Sequence, residues 1–243
     1  MKRVLWGRAT VRAALDQRVA PDVILLESGS PDRELRELLS PTRHGRLPVY
    51  ERPRAELDAI SRGARHEGVV MIAGPYGYAS LEDGVLAKAR APATLLCLDE
   101  VTDPGNVGSI LRTAAAFGVD GIIVPKDRSA PINGTVVRVS MAATELVPIA
   151  RVTNLARTID ALGRDGFTTV GLDASAEHTL DAIDLTGPVA LVLGSEGEGL
   201  RRLVRERCTH LARIPMSPPL DSLNVAVATA VALYERQRQQ RAR

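Results

Sequence analysis

Apolar positions near the start of the chain alternate between helical and strand spacing. From Gly7 to Arg18, Val11, Ala14 and Leu15, followed by Val19, recur at helical intervals. Val23–Leu26 is a short unbroken apolar run and predicts a buried strand. Leu35, Leu38 and Leu39 predict a helix over Pro31–Leu39, and Leu47–Tyr50 reads as a strand. Pro53 opens another helix with Leu57 and Ile60 inward, and Val69–Ile72 closes the unit as a strand. The pattern predicts a small α/β domain over residues 1–73.

Residues 74–92 change character. AGPYGYASLEDG is rich in Gly, Ala and Pro, which predicts a linker. Its tyrosines, Tyr76 and Tyr78, are expected to pack on a neighbouring domain, and stacking on an RNA base is the sharper alternative.

A second α/β pattern fills residues 93–243. Strands are predicted at Thr94–Leu98, Gly121–Val124, Phe167–Leu172, Pro188–Leu193 and Leu211–Met216. Helices are predicted at Val107–Phe117, within Asn133–Leu146, from a cap at Thr153 or Asn154 to Gly163, up to Glu206, and from Val225 onward. Strand–helix alternation implies an α/β fold, a mainly parallel sheet with helices on both faces. Ligands in such sheets bind beyond the C-terminal strand ends. Three loops fall there: DEVTDPGNVGS, GSEGEG and MSPPLDSLN.

Composition narrows the choices. Only 3% of residues are aromatic, so the core must be aliphatic. No run of 18 apolar residues exists to suggest a membrane span, and the N-terminus lacks a signal-peptide core. Cys97 and Cys208 each sit among aliphatic residues, as buried free thiols of a reducing compartment do, which predicts a cytoplasmic protein. The four histidines are scattered, so no metal site is expected. Residues 1–75 hold 13 Lys/Arg against 10 Asp/Glu, a net +3, and nearly all the cations are Arg. That bias and the basic tail from Arg236 mildly favour a nucleic-acid partner.

The three loops carry the chemistry. GSEGEG spaces its glycines as G-x-x-G-x-G, unlike a dinucleotide loop or a P-loop, and includes Glu196 and Glu198. Two carboxylates would repel a pyrophosphate. A cationic ligand with many donors, such as a sulfonium cofactor, fits better, with an exposed Gly-rich connection as the bland alternative. Asn106 starts a helix of small apolar residues, and Arg112 follows on what the spacing suggests is the same flank. Arg112 either snorkels to an acid or aims its guanidinium at a phosphate. In the third loop Pro218 and Pro219 forbid regular structure, and Ser222 is placed to cap a helix whose first turn contains Asn224.

Taken together, DPGNVGSILRTAAAFG, LVLGSEGEGL and IPMSPPLDSLNVAVATA resemble the three ordered motifs of the SpoU (TrmH-like) branch of the SPOUT RNA ribose methyltransferases. The resemblance continues through IIVPKDRSAPIN, ELVPIARVTNLARTI and WGRATVRAAL, and so covers nearly the whole chain. In this wider form it is nearest to bacterial members that methylate a guanosine 2′-OH in 23S rRNA. It implies a C-terminal trefoil knot, a homodimer formed through the catalytic domain, and an RNA-binding N-terminal domain. It also implies S-adenosylmethionine as methyl donor. By resemblance Gly194, Ile214 and Leu223 contact the cofactor through backbone groups, with Leu193, Gly197, Met216 and Leu172 as pocket neighbours. Arg112, Asn106, Glu196, Ser222 and Asn224 match catalytic positions. Glu196 is expected to hold Arg112 or to shape the cofactor loop. A guanidinium offers no acceptor for a proton, so a phosphate clamp is the favoured role of Arg112. The chain departs from relatives at Ser217–Asp221 and at Ala226, which bears on cofactor affinity. Competing expectations are a tRNA 2′-O-methyltransferase and a non-catalytic rRNA-binding assembly factor.

Overall fold

A computed structural model describes residues 2–29, 35, 37, 39, 40, 46–219 and 222–242. In chain order its strands and α-helices are β1 (Arg3–Trp6), α1 (Arg8–Asp16), β2 (Pro21–Glu27), β3 (Val49–Arg52), α2 (Arg54–Ile60), β4 (Val69–Ala73), β5 (Thr94–Leu98), α3 (Pro104–Ala116), β6 (Gly121–Pro125), α4 (Gly134–Val139), β7 (Ile149–Val152), α5 (Leu155–Arg164), β8 (Thr168–Leu172), β9 (His178–Thr179), β10 (Val189–Leu193), α6 (Arg202–Arg207), β11 (His210–Arg213) and α7 (Val225–Arg241). They form two units: Met1–Gly77 with Ile132–Leu146, and Tyr78–Pro131 with Val147–Arg243.

The first unit is built on a sheet of order β1-β4-β2-β3. β4 is antiparallel to β1 and β2, and β3 runs parallel to β2. Leu5, Val11, Ile24, Leu57 and Met71 are fully buried in it. Most of the helix expected at Pro31–Leu39 lies outside the described residues, as does His44. β1 escapes sequence reading because it begins with a charge. Arg3 is nonetheless buried, since its Nη1 meets Glu145 at 2.7 Å and its Nε donates to the Gly74 carbonyl at 3.0 Å. Tyr76 lies beneath its guanidinium and donates its hydroxyl to the Thr144 carbonyl. Residues 132–146 therefore complete this unit from far along the chain. A Cβ on Gly134 would sit 1.8 Å from the Val4 carbonyl oxygen, so only glycine lets α4 press against β1.

The second unit is a seven-stranded sheet of order β7-β6-β5-β10-β8-β11-β9, in which every pairing is parallel. β5, β6 and β10 are buried along their whole length, which is why they read as continuous apolar runs. Leu95 and Cys97 face a cluster with Leu155, Ile159 and Leu162 of α5 and Val204 of α6. Leu96 and Leu98 alternate to the other face and are equally buried. α7 packs on β10 and on α3. The stretch 78–92 is more than a tether: Ala79 bridges to Ala150 beside β7, and Val85, in a wide helical turn, is fully buried. β9 is a two-residue strand between β8 and β10 that the sequence pattern does not announce. β11 stops at Arg213, three residues short of the predicted strand end, so Ile214 and Met216 lie in the following loop.

The basic tail is also less exposed than its sequence suggests. Arg236 is 2% exposed and donates to Thr94 Oγ1 and to the carbonyls of Pro92, Ala93, Leu185 and Gly187. Burial lowers its proton affinity, with Asp120 acting in the opposite direction. It clamps α7 to neighbouring loops and adds nothing to a surface field.

Candidate functional site

The sheet order of the second unit explains why distant loops meet. β5, β10, β8 and β11 are adjacent and parallel, so the loops that follow them emerge side by side. After β5, Asp103 accepts a bond from the Asn106 backbone N–H at 2.8 Å and caps α3, with Pro104 in the first helical position. After β10, the Ser195 and Gly199 backbones exchange bonds of 3.1 and 3.0 Å and close a tight loop. Gly197 at φ +91° and Gly199 at φ +68° supply the left-handed residues this loop requires. A Cβ on Gly194 would fall 2.1 Å from the Gly199 carbonyl carbon, so the loop closes only over glycine.

Asn224 joins the loops. Its Nδ2 donates to Asn106 Oδ1 at 2.9 Å and to Glu196 Oε1. Its Oδ1 accepts from the backbone N–H groups of Ala226 and Val227 at 2.9 and 3.3 Å. Asn224 is thus itself the cap of α7. This corrects the expectation that Ser222 caps and Asn224 lies in the first turn; the amide alone reaches both N–H groups while also donating outward. Ser222 is exposed, two residues before the cap.

The structure brings Asn106, Glu196 and Asn224 into direct contact. Leu193 and Gly194 end β10 and begin its loop, with Gly197 at the loop's tip. Leu172 ends β8 and pairs with Ala212 of β11. Ile214 and Met216 are half-buried just past β11, and Leu223 is 36% exposed before α7. Arg112 stands apart from the cluster. Six residues turn a helix through about 600°, leaving Arg112 roughly 120° round from Asn106, not on the same flank. It is exposed and makes no ion pair among the described residues. Glu196 accepts from Asn224 and makes no ion pair with Arg112 among the described residues, which leaves the other of its two expected roles, shaping the cofactor loop. Leu220 and Asp221 lie outside the described residues.

Sequence reading missed the charged frame beneath these loops. Asp99, at the end of β5, is 0% exposed. It accepts from the Arg201 backbone N–H at 2.9 Å and from its Nε and Nη2 at 2.7 and 2.6 Å. Arg201 Nη1 reaches Glu100 at 3.2 Å, and Arg128 reaches the same carboxylate at 3.1 Å. Hydrogen bonding to Asp99 raises the Arg201 guanidinium above its usual range, against the cost of partial burial. This network ties the end of the glycine loop to the loop that presents Asn106. The available signal was an Asp at the end of an apolar strand and an Arg directly after GSEGEGL.

Chemically, the cluster offers small-residue backbone, half-buried aliphatics and a carboxylate on one side, with an exposed guanidinium on the helix alongside. Residues 93–234 match the SpoU rRNA Methylase family, and residues 4–79 match the RNA 2'-O ribose methyltransferase substrate binding family. The chain is 46% identical to the 23S rRNA (guanosine-2'-O-)-methyltransferase RlmB of Pseudomonas aeruginosa, over 88% of this chain and 87% of that one. It is 42% identical to the enzyme of the same name from Vibrio parahaemolyticus, over 97% and 96%. An AdoMet-bound rRNA methyltransferase from Sinorhizobium meliloti superposes with a TM-score of 0.81 at 30% identity, covering 98% of this chain and 87% of that one. The chain belongs to the SpoU rRNA methylase family.

Proposed function

We propose that this chain transfers the methyl group of S-adenosylmethionine to the ribose 2′-OH of a guanosine in 23S rRNA. The observation that carries the reading is the contact of all three loops through Asn224, in a family whose similar members bear that activity in their names. The residues present suit the cofactor. Gly194 lets the glycine loop close on its own backbone, and Gly197 leaves open space at the loop's tip. Leu172, Ile214, Met216 and Leu223 supply apolar surface for an adenosine, the buried Leu193 backs the glycine loop, and Glu196 supplies negative charge for a cation. When bound, S-adenosylmethionine supplies an electrophilic methyl group on a sulfonium.

The protein's task is orientation. Asn106 and Asn224 fix each other and hold the rim of the site, so the reacting hydroxyl meets a preformed geometry. Arg112 has donors only. It clamps the phosphate beside the target ribose and stabilises charge developing on the 2′ oxygen. Ser222 hydrogen-bonds RNA or cofactor from the same rim.

The fold reading goes with this function. The segment from β10 through α7 is threaded as a trefoil knot. Residues 1–73 bind the RNA, 74–92 connect, and 93–243 catalyse. Val227, Val231 and Tyr234 recur along α7 with 49, 37 and 60% exposure, and α7 lies against the helix that carries Arg112. That apolar stripe supports a homodimer formed through the catalytic domain, with each Arg112 near the interface. Among the described residues no helix is long and apolar enough to cross a membrane, and a cytoplasmic site of action accords with an rRNA substrate.

The test is Arg112→Ala. Methyl transfer from labelled S-adenosylmethionine to 23S rRNA should fall at least about 100-fold, in the range seen when one transition-state donor is removed. Calorimetric affinity for the cofactor should remain within about twofold. Near-wild-type turnover would overturn the role of Arg112.

A further inference from the structure

We infer that Tyr78, Lys126 and Arg151 form a binding site for the nucleotides flanking the target, a stacking surface and phosphate contact on a single-stranded RNA segment. The inference rests on the methyltransferase reading and adds the path by which the substrate strand leaves the catalytic loops.

All three residues belong to the second unit. β5, β6 and β7 are neighbours in its sheet, and adjacent strands lie about 4.8 Å apart. The C-terminal ends of β6 and β7 therefore fall within about 10 Å of the end of β5, on the edge where Asn106 emerges. Lys126 is the first residue after β6, and its backbone N–H donates to the Val152 carbonyl of β7 at 2.8 Å. Arg151, on β7, is paired in register with Val124. Tyr78 directly precedes Ala79, whose backbone N–H donates to the Ile149 carbonyl at 2.9 Å. Three separate backbone pairings thus set these side chains next to one another.

Their chemistry is that of a nucleotide site. The Arg151 guanidinium lies 4.7 Å from the Tyr78 ring centroid, and its Nη2 donates to the Lys126 carbonyl at 2.6 Å. The guanidinium is held over the tyrosine ring, and the pair offers an exposed cation beside an aromatic, a combination on which an unpaired base can stack. Its remaining N–H donors are available to a phosphate. Arg90, Arg202 and Arg205 of this unit are each paired with a carboxylate, of Asp120, Glu206 and Asp173. Arg151 and Lys126 are exposed and have no carboxylate partner among the described residues. Asp127 and Glu100 are the nearby acids. Glu100 is already shared by Arg128 and Arg201, and Asp127 is exposed in the loop. A preorganised guanidinium–aromatic stack with unspent positive charge, beside the loops of an RNA methyltransferase, is matched by a strand of RNA.

The experiment compares the full-length wild-type protein with Lys126→Gln/Arg151→Gln, Arg151→Lys, Tyr78→Leu and the control Lys88→Gln. Binding to a 23S rRNA transcript is measured over a salt series, alongside methyl transfer, cofactor calorimetry and thermal melting. The double variant should bind RNA about tenfold more weakly, with a log–log salt slope shallower by about 1, as expected for one or two lost phosphate contacts on a single strand. Its KM for RNA should rise in proportion while kcat, cofactor affinity and Tm hold. Tyr78→Leu should cost about fivefold or more in RNA affinity without changing the slope, as loss of a stacking surface does. Arg151→Lys should keep the slope but not the affinity, and Lys88→Gln should change nothing. Wild-type RNA affinity and slope in the double variant would overturn the proposal. Because binding is measured apart from transfer, an inactive wild-type protein would count against the methyltransferase reading, while the binding comparison would still decide this site.

Discussion

Asn224→Asp separates the two roles that one side chain combines. The substitution is nearly isosteric. Its retained oxygen can still accept from the Ala226 and Val227 N–H groups, and Asp caps a helix as well as Asn does. A carboxylate at a helix N-terminus adds a small favourable interaction. The outward face is reversed. The donor to Asn106 Oδ1 and Glu196 Oε1 becomes an acceptor facing two acceptors. Losing a neutral hydrogen bond costs about 1 kcal/mol and losing one to a carboxylate about 2 kcal/mol, less whatever water restores at this exposed rim. Two carboxylates about 3 Å apart in a water-like medium repel by about 1.4 kcal/mol. The joined arrangement of the loops is then disfavoured by about 3 kcal/mol, while the helix is not. Thermal melting should place Tm within about 2 °C of wild type. Calorimetry should show S-adenosylmethionine affinity reduced by about 10- to 100-fold, the upper end applying if loop joining is fully coupled to binding. Asn224→Ala, which also removes the cap, should lose about 1 kcal/mol of stability as well. Cofactor affinity within twofold of wild type in Asn224→Asp would refute the view that this bridge assembles the site.

Other expectations follow from the same geometry. Arg201→Ala strands Asp99, which is 0% exposed, and should cost about 3 kcal/mol in urea unfolding; Asp99→Ala leaves an arginine that is 42% exposed and still faces Glu100, and should cost about half as much. Equal losses, or the reverse order, would contradict the buried-charge argument. Val231→Glu places a charge in the exposed α7 stripe and should convert a dimer to a folded monomer in sedimentation, with loss of methyl transfer; an unchanged dimer would move the interface elsewhere. Burial pushes the Cys208 thiol up to about 12 and Cys97 higher still, so neither is a thiolate at pH 8. A thiol reagent should therefore label both only after unfolding, and rapid labelling of the native protein would count against the packed core.

Local pattern carried much of the catalytic fold. β5, β6 and β10 sit where apolar runs indicate, and α5 starts after Asn154, one of its two expected caps, because these signals act within a few residues; α3 falls on its predicted span but begins at Pro104, three residues before the expected Val107. The loops at the strand ends were legible for the same reason, and so was their shared edge of the sheet. Contacts between residues far apart in the chain were not. Nothing near Arg3 announces Glu145, and nothing near Asp99 announces Arg201; each buried charge is tolerated only because a distant segment supplies its partner. Arg236 misled in the opposite sense, looking like part of a solvated basic tail while donating to buried carbonyls. The cap of α7 was misplaced by two residues because Ser222 and Asn224 are both good caps, and only the position of Glu196 and Asn106 selects the amide.

The most direct test of the central claim is a map of ribose methylation after incubating the purified protein with S-adenosylmethionine and total RNA from cells lacking it. The account predicts a 2′-O-methyl group gained at a guanosine of 23S rRNA and nowhere in tRNA. Methylation confined to tRNA, methylation of a base, or no ribose methylation at all would contradict it.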